Sequence, residues 1–325
     1  MKTHENQTLA TALARALLGT AALLAGAHAT AQTNTTLYGK VDLGLGKNIG
    51  AQSVGLQEAI GSRIGLRGSE DLGGGWSAGF HLEHRFTPDT GAQTDPVRFW
   101  QGQSTVSLRG PYGGLSLGYQ YTAAYSLAQN VIDPWRGATV AQMRTTWRGG
   151  ISRTRVENSI RYDLRSGGLA FAASVAEAPK EGSAAGPRRP VSVAANYTTG
   201  PWLLAAGWEN PANANDHLLS LGATYQAGPA RLALGWSRGS TTRDDSFRAV
   251  LLGMTYAVGA GEIKAGFVTA DTRTPAGAVR SQVRKLGLGY VHHLSKRTHL
   301  YTNLARDSRA PRERVGYDLG LQHNF

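Results

Sequence analysis

The sequence contains no cysteine, which excludes a small extracellular module held together by disulfide bonds. After its first 31 residues it also lacks any apolar run near the ~20 residues that a membrane-spanning helix needs. Acidic residues are the scarcer charge, with 22 Asp and Glu against 34 Lys and Arg, for a formal net charge of +12. The basic residues are dispersed instead of forming one stripe or tail. No nucleic-acid partner is therefore predicted.

The first 31 residues have the pattern of a secretory signal peptide. Lys2 and Arg15 are basic, residues 16–26 (ALLGTAALLAG) are apolar, and Ala29-Thr30-Ala31 offers small residues for cleavage. An N-terminal anchor helix is the alternative, but this apolar run is short for a span. We predict export of the chain, with residues 32–325 forming one domain.

Alternation of apolar and polar residues is the dominant pattern of the predicted mature chain. Trp76, Phe80 and Leu82, for example, alternate with polar or small residues, as in a strand with one apolar face. Such segments are about nine to twelve residues long, the length that a tilted strand needs to cross a bilayer. Sixteen segments begin near residues 36, 62, 75, 97, 113, 157, 168, 190, 201, 217, 229, 247, 260, 281, 296 and 314.

The connections between these segments alternate in length. Short turns, such as residues 72–74 and 199–200, join the segments in pairs. Longer polar links lie between the pairs, at residues 47–61, 87–96, 122–156, 179–189 and 271–280. This alternation is typical of outer-membrane barrels, and many segments end in interfacial aromatic residues. We predict an all-β fold, a sixteen-stranded antiparallel transmembrane β-barrel, with a soluble β-sandwich or barrel as the alternative.

Several motifs match sequence patterns known from one protein family. Residues 62–75 (SRIGLRGSEDLGGG) are similar to the S-R-x-G-x-(K/R)-G-S-E-D-L-G-G-G block of the Gram-negative general porins. Further similarities lie at residues 36–39 (TLYG), 108–113 (LRGPYG), 155–162 (RVENSIRY) and 294–298 (LSKRT), and at the terminal aromatic Phe325. The resemblance implies a homotrimer of sixteen-stranded, water-filled barrels in the outer-membrane lipid. It also implies that a third external loop folds inward and narrows each barrel.

The longest link, residues 122–156, stands in the place of that third loop. Trp135 and Trp147 predict that it packs against other residues. The resemblance implies a constriction where basic wall residues face acidic groups on or near the loop, so that a transverse field sorts ions. Arg63 and Arg155 match the wall positions, with Glu83 and Asp133 as the acidic candidates.

Four further candidates for the constriction come from alternation and from the loop. Alternation aims Lys40 and Arg67 at the lumen, and Arg148 and Arg153 lie in the loop. Gly102 departs from the family pattern, which has an arginine there. Either the loop arginines compensate for the missing positive charge or the pore is wider and less selective.

The predicted function is passive diffusion of small hydrophilic solutes and inorganic anions, with a weak preference for anions and no cofactor or metal. A substrate-specific outer-membrane channel is the main alternative. An outer-membrane hydrolase would need a compact Ser/His/Asp grouping, which the sequence does not suggest. The adjacent His292 and His293 would face opposite sides of a strand, so they cannot chelate one ion from one face. No enzymatic activity is predicted.

Overall fold

A computed structural model describes residues 34–137, 139–177, 188–211 and 215–325. Within these ranges, strands form one antiparallel sheet that closes because β1 pairs with both β17 and β3. The strands are β1 Asn34–Lys47, β2 Gly55–Gln57, β3 Arg63–Gly73, β4 Trp76–Arg85, β5 Gln103–Gly110, β6 Gly113–Tyr121, β7 Arg155–Ser166, β8 Leu169–Ala176, β9 Val191–Thr199, β10 Trp202–Asn210, β11 His217–Ala227, β12 Ala230–Ser240, β13 Ser246–Val258, β14 Gly261–Arg273, β15 Val279–His293, β16 Thr298–Asp307 and β17 Val315–Asn324. The short β2 pairs with one end of β1, and the other sixteen form the barrel wall.

The outer face of the wall is apolar and exposed, whereas the inner face is polar or small. On β12, for example, Leu234 and Trp236 are 52% and 38% exposed, whereas the intervening Gly235 and the next residue, Ser237, are buried. This arrangement inverts that of a soluble protein and suits a barrel surrounded by lipid. Within the described ranges, no helix is long and apolar enough to cross a membrane.

The turns at one end of the barrel are tight, and glycine makes several of them possible. Gly228 joins β11 to β12 and Gly259 joins β13 to β14, each with φ of 55°, a left-handed conformation that glycine adopts without steric cost. The connections at the other end are generally longer. We assign the tight turns to the periplasmic side and the longer loops to the exterior.

The predicted strand starts agree with the structure to within two residues, with one exception. The strand predicted to start near residue 97 starts at Gln103. Asp95 accounts for the difference, because its Oδ1 accepts the backbone N–H groups of Val97 and Arg98 at 2.9 and 3.1 Å. These bonds hold both residues in a turn. The link predicted at residues 271–280 is also shorter, since β14 runs to Arg273 and β15 begins at Val279.

The third loop, defined here as residues 122–154, packs against the inner face of the wall. It contains helical turns at Tyr125–Gln129 and Asn130–Ile132 and a short helix at Arg144–Arg148. Ile132, Met143 and Trp147 are fully buried and share a cluster with inward-facing residues such as Leu218 and Leu251. These contacts agree with the predicted inward fold of the loop.

Glycines on the inner wall make room for this loop. A Cβ at Gly235 would lie 2.9 Å from the Trp147 ring, and one at Gly253 would lie 2.6 Å from Cγ of Pro134. The same close approach occurs at Gly207, Gly222, Gly266 and Gly287. We call these six positions the glycine track. Any larger side chain there would occupy space that the third loop fills.

Polar anchors fix the third loop to the wall. Asp318 Oδ2 accepts the backbone N–H of Val140 at 2.8 Å, and Trp135 Nε1 donates to Asn303 Oδ1 at 2.7 Å. On β10, the buried Glu209 accepts the backbone N–H of Arg153 at 2.5 Å. Because these partners are buried, each broken bond would leave a costly unpaired group.

Candidate pore constriction

The inner faces of β1, β3 and β4 bring charged residues together around Glu83. Strand register places Arg63 beside Lys40 on one side and beside Arg85 on the other. Glu83 Oε1 accepts from Arg85 Nε at 3.1 Å and Nη2 at 3.0 Å, and its Oε2 lies 3.7 Å from Arg63 Nη1. The Tyr38 hydroxyl donates to Glu83 Oε2 at 3.0 Å. The hydrogen bonds orient the carboxylate and the Arg85 guanidinium, and the ion pair keeps the Arg63 guanidinium beside them.

Tyr121 links Arg85 to Arg155 across the next part of the wall. Arg85 Nη2 donates to the Tyr121 hydroxyl at 3.3 Å, and Arg155 Nη2 donates to the same oxygen. The Arg155 guanidinium also lies 4.0 Å from the centre of the Tyr121 ring, a cation–π arrangement. Arg85 therefore shares this tyrosine with Arg155 while it also pairs with Glu83.

Tyr125 extends this arrangement onto the third loop. Its ring stacks on Tyr121, with centroids 5.1 Å apart and planes 5° apart. On the loop, Arg144 and Arg148 lie 5.0 and 5.1 Å from the Tyr125 ring centre. The stack of Tyr121 and Tyr125 thus joins the basic wall to the basic loop, and we call it the tyrosine bridge.

The structure brings together four of the eight predicted site residues. Lys40 is the register partner of Arg63, and Arg63 forms an ion pair with Glu83. The tyrosine bridge connects Arg155 to the same group. Arg67 lies further along the inner face of β3, exposed, with its guanidinium 5.2 Å from the Tyr38 ring centre. It lines the same wall.

The other three predicted residues serve the third loop itself. Asp133 is fully buried, and its carboxylate accepts the backbone N–H groups of Trp135, Met143 and Arg144 at 3.0–3.1 Å. Arg148 is also buried and donates to the Ser152 hydroxyl at 2.8 Å and to the Ser152 carbonyl at 2.6 Å. Burial lowers the pKa of Arg148 to about 10, so it remains charged at neutral pH.

Arg153 is bonded through its backbone to Glu209, and its side chain is exposed. The structure therefore does not bring Asp133 or Arg153 into the cluster around Glu83. Arg148 contacts the tyrosine bridge, through the Tyr125 ring.

Sequence reasoning missed Arg85, Tyr121 and Tyr125. Arg85 follows Glu83 by two residues, so strand alternation alone could have assigned it to the lumen. No comparable signal marked the tyrosines, because Tyr121 ends a strand and Tyr125 lies in a helical turn. At Gly102, a Cβ would collide with the Glu83 side chain. Arg85 supplies a positive charge beside Glu83, next to this glycine.

Positive charge exceeds negative charge on this wall. The cationic side chains are Lys40, Arg63, Arg67, Arg85 and Arg155. The nearby carboxylates are Glu83, Asp42 and Glu58. Asp42 is 1% exposed and accepts from Tyr301 Oη at 2.7 Å and from Ala59 N at 2.9 Å. Its charge therefore acts at a distance, without contact with water.

Comparisons with known proteins agree with this architecture. The family model described as Gram-negative porin matches residues 16–310. Outer membrane porin protein 32 of Delftia acidovorans is 32% identical over 322 residues, covering 90% of this chain and 88% of that protein. An outer membrane porin protein of Bordetella pertussis is 36% identical over 165 residues, covering 44% of this chain and 41% of that protein.

Several solved structures resemble the barrel of this chain. The anion-selective porin from Comamonas acidovorans has a TM-score of 0.76 at 26% identity, covering 90% of this chain and all of that one. OmpF of Salmonella typhi, at 13% identity, shares the fold with a TM-score of 0.72, covering 90% of this chain and 97% of that one. The closed barrel, its water-facing charges and these matches together show that the chain belongs to the Gram-negative porin family, the channel proteins of the outer membrane.

Proposed function

We propose that this porin favours anions because of the charge cluster around Glu83. The main support is that five cationic side chains line the wall, against three carboxylates. One of these carboxylates, Asp42, is shielded from water. Fixed positive charge along a water-filled path raises the local concentration of anions and lowers that of cations. The preference is weak, because water and dissolved salt screen each charge.

The cluster around Glu83 and the tyrosine bridge form the proposed constriction, with Arg63, Arg85 and Arg155 in contact with passing ions. Lys40 and Arg67 extend the positive field along the wall. The third loop narrows the passage, and its shape depends on Asp133, Arg148 and Arg153. The anion-selective porin from Comamonas acidovorans, similar over most of its length, supports this direction of selectivity.

We also propose a trimeric assembly and an exported chain. The mature chain works as a homotrimer, a state supported by the trimer form of OmpT from Vibrio cholerae, which shares the fold at a TM-score of 0.70 and 12% identity. Residues 1–31 act as a signal peptide that is removed. This leader lies outside the described residues. Mass spectrometry of the protein from outer membranes tests both: a trimer beginning at Gln32 is expected, whereas a monomer or an intact leader contradicts the corresponding part.

Solute flux through reconstituted protein tests the passive mechanism. In liposome-swelling assays, neutral sugars of increasing size are expected to enter at rates that fall smoothly with size and rise in proportion to concentration. Saturation by one sugar, with little entry of others of equal size, would favour the substrate-specific alternative. Absence of flux through folded protein would contradict the diffusion mechanism in either form.

A further inference from the structure

Two histidines face each other on the inner side of the barrel wall, near the tight turn between β15 and β16. His293 and His299 are register partners on these strands, and their ring centres lie 5.6 Å apart with planes inclined at 65°. His299 lies two residues before Tyr301, whose hydroxyl donates to Asp42 on the inner face at 2.7 Å. Strand alternation therefore places both imidazoles on the lumenal side, at the periplasmic end of the channel.

Register across the turn at residues 294–297 creates this pair. His292 is adjacent to His293 but faces the other side of the wall, because consecutive residues of a strand point in opposite directions. His299 follows His293 by six residues and lies opposite it on the next strand. Two imidazoles on one face, which adjacent positions of one strand cannot provide, thus come from neighbouring strands.

Neither imidazole of the inner pair is engaged by another side chain. Within the described part of the chain, the His293 and His299 side chains form no hydrogen bond or ion pair, and their ring contact is with each other. His293 is exposed and His299 is half-buried. The outward-facing His292, by contrast, contacts the Tyr290 hydroxyl at 3.1 Å. The nitrogens of the inner pair are therefore available to a ligand from the lumen.

The spacing of the two rings suits shared coordination of one transition-metal ion. Zinc lies ~2.0–2.1 Å from an imidazole nitrogen, so two imidazoles on one ion have ring centres roughly 5–6 Å apart. Imidazole suits Zn²⁺, Ni²⁺ and Cu²⁺, whereas Mg²⁺ and Ca²⁺ take oxygen ligands. Among the described residues, no set of three His, Cys, Asp or Glu side chains is placed to hold a metal ion. Water would therefore complete the coordination.

Neighbouring charges restrict which ion can bind. Glu262 on β14, Lys264, which pairs with Glu262 at 3.4 Å, and Lys40 on β1 all act electrostatically on His299. Two ammonium groups against one carboxylate repel a divalent cation. An ion held mainly by charge is disfavoured here, so only an ion with strong bonds to imidazole can occupy the pair.

We propose that His293 and His299 form a lumenal binding site for a divalent transition-metal ion such as Zn²⁺. Each imidazole supplies one nitrogen, and water fills the remaining positions. The bound ion adds two positive charges to the wall at the periplasmic end, apart from the cluster around Glu83, and so raises the local concentration of anions. Binding of the ion is independent of the proposed anion preference of the free channel.

Equilibrium dialysis of the untagged, folded protein in detergent against Zn²⁺ tests the site. H293Q/H299Q is expected to lose about tenfold or more in affinity, since even the outer partners of metal ligands contribute ~10–100-fold. H292Q/H323Q is the matched control, because it removes two histidines from the outer face at the same end of the barrel. The control should bind zinc like the wild type. Equal loss in both variants, or no loss in H293Q/H299Q, would overturn the proposal.

Electron paramagnetic resonance with Cu²⁺ in place of Zn²⁺ tests the ligands directly. The wild-type spectrum should show coupling to two imidazole nitrogens, and that of the single variant H299Q to fewer. Unchanged coupling in H299Q would mean that the ion binds elsewhere, and the site would then be wrong. The wild-type spectrum decides this even if a double variant folds poorly.

Reversal potentials in planar bilayers test the lumenal position of the ion. Zinc should raise the chloride-to-potassium permeability ratio of the wild type, reversibly on chelation, and leave H293Q/H299Q unchanged. Zinc binding without such a change would contradict the lumenal placement. Added positive charge shifts the ratio in the same direction whatever its starting value. A zinc effect on a channel that prefers cations would therefore support this site and refute only the proposed function.

Discussion

At the scale of single residues, Arg85 connects two parts of the proposed constriction. It pairs with Glu83 and also donates to Tyr121, so it lies between the ion-paired wall and the tyrosine bridge. Replacing it with alanine removes one positive charge without removing a carboxylate. We expect R85A to lower the chloride-to-potassium permeability ratio about two- to fivefold, because a unit charge several Å away in water changes an ion's energy by ~0.5–1 kcal/mol.

The R85A measurement needs a variant with the same change in net charge. R312A provides it, because Arg312 is exposed in the loop between β16 and β17. Its permeability ratio should remain near that of the wild type. An equal change in both variants would show that overall charge, and not position, determines selectivity.

Asp133 provides a second test at this scale. Its carboxylate caps three backbone N–H groups inside the third loop. An asparagine there cannot accept all three bonds, at a cost of ~1–3 kcal/mol. We expect D133N to increase closures and current noise in single-channel recordings while leaving the reversal potential nearly unchanged. The exposed Asp89→Asn is the matched control and should alter neither; a shift in D133N as large as that of R85A would place Asp133 at the constriction.

The sequence predicted side-chain direction better than side-chain partners. Alternation assigned Lys40 and Arg67 to the lumen because direction in a strand depends only on neighbouring positions. Alternation could not show that Asp133 caps the loop backbone instead of facing the lumen. The bonds of Asp133 to Met143 and Arg144 depend on how the loop turns back on itself. A charged residue in a loop faces water or caps the backbone according to contacts that no local pattern encodes.

At the scale of elements, the third loop is held by packing against a wall whose inward-facing glycines leave room for it. Trp147 is fully buried and lies against Gly235, part of the glycine track. We expect W147A to lose ~3–5 kcal/mol of local stability, as truncation of large buried aromatics does elsewhere. Limited trypsin digestion should then cut within the third loop, while the thermal unfolding of the barrel changes little.

Trp208→Ala is the matched control for this variant. Trp208 faces outward on β10 and is 40% exposed, so its loss leaves the third loop unaffected. Resistance of W147A to trypsin, equal to that of the control, would mean that the polar anchors alone hold the loop.

The course of the third loop was less predictable than the strands. Period-two alternation identifies each strand because one face meets lipid and the other meets water or the loop. The loop's path depends on contacts such as Trp147 with Gly235 and Val140 with Asp318, whose partners are distant in the sequence. Its two tryptophans indicated that it packs, but not which strands it packs against.

At the scale of the whole molecule, the proposed selectivity arises from a long-range field and not from a binding site for anions. The Debye length falls from ~10 Å at 0.1 M salt to ~3 Å at 1 M. We therefore expect the chloride-to-potassium permeability ratio to approach one as the mean KCl concentration rises over this range. A ratio that stays constant with salt would indicate direct binding of anions, and the field explanation would then be wrong.

The reversal potential of the wild-type protein in a planar bilayer under a KCl gradient tests the central claim most directly. The excess of cationic side chains around Glu83 predicts a stepwise conductance that reverses on the chloride side of zero. Reversal on the potassium side would contradict the proposed effect of this cluster while leaving the channel itself intact.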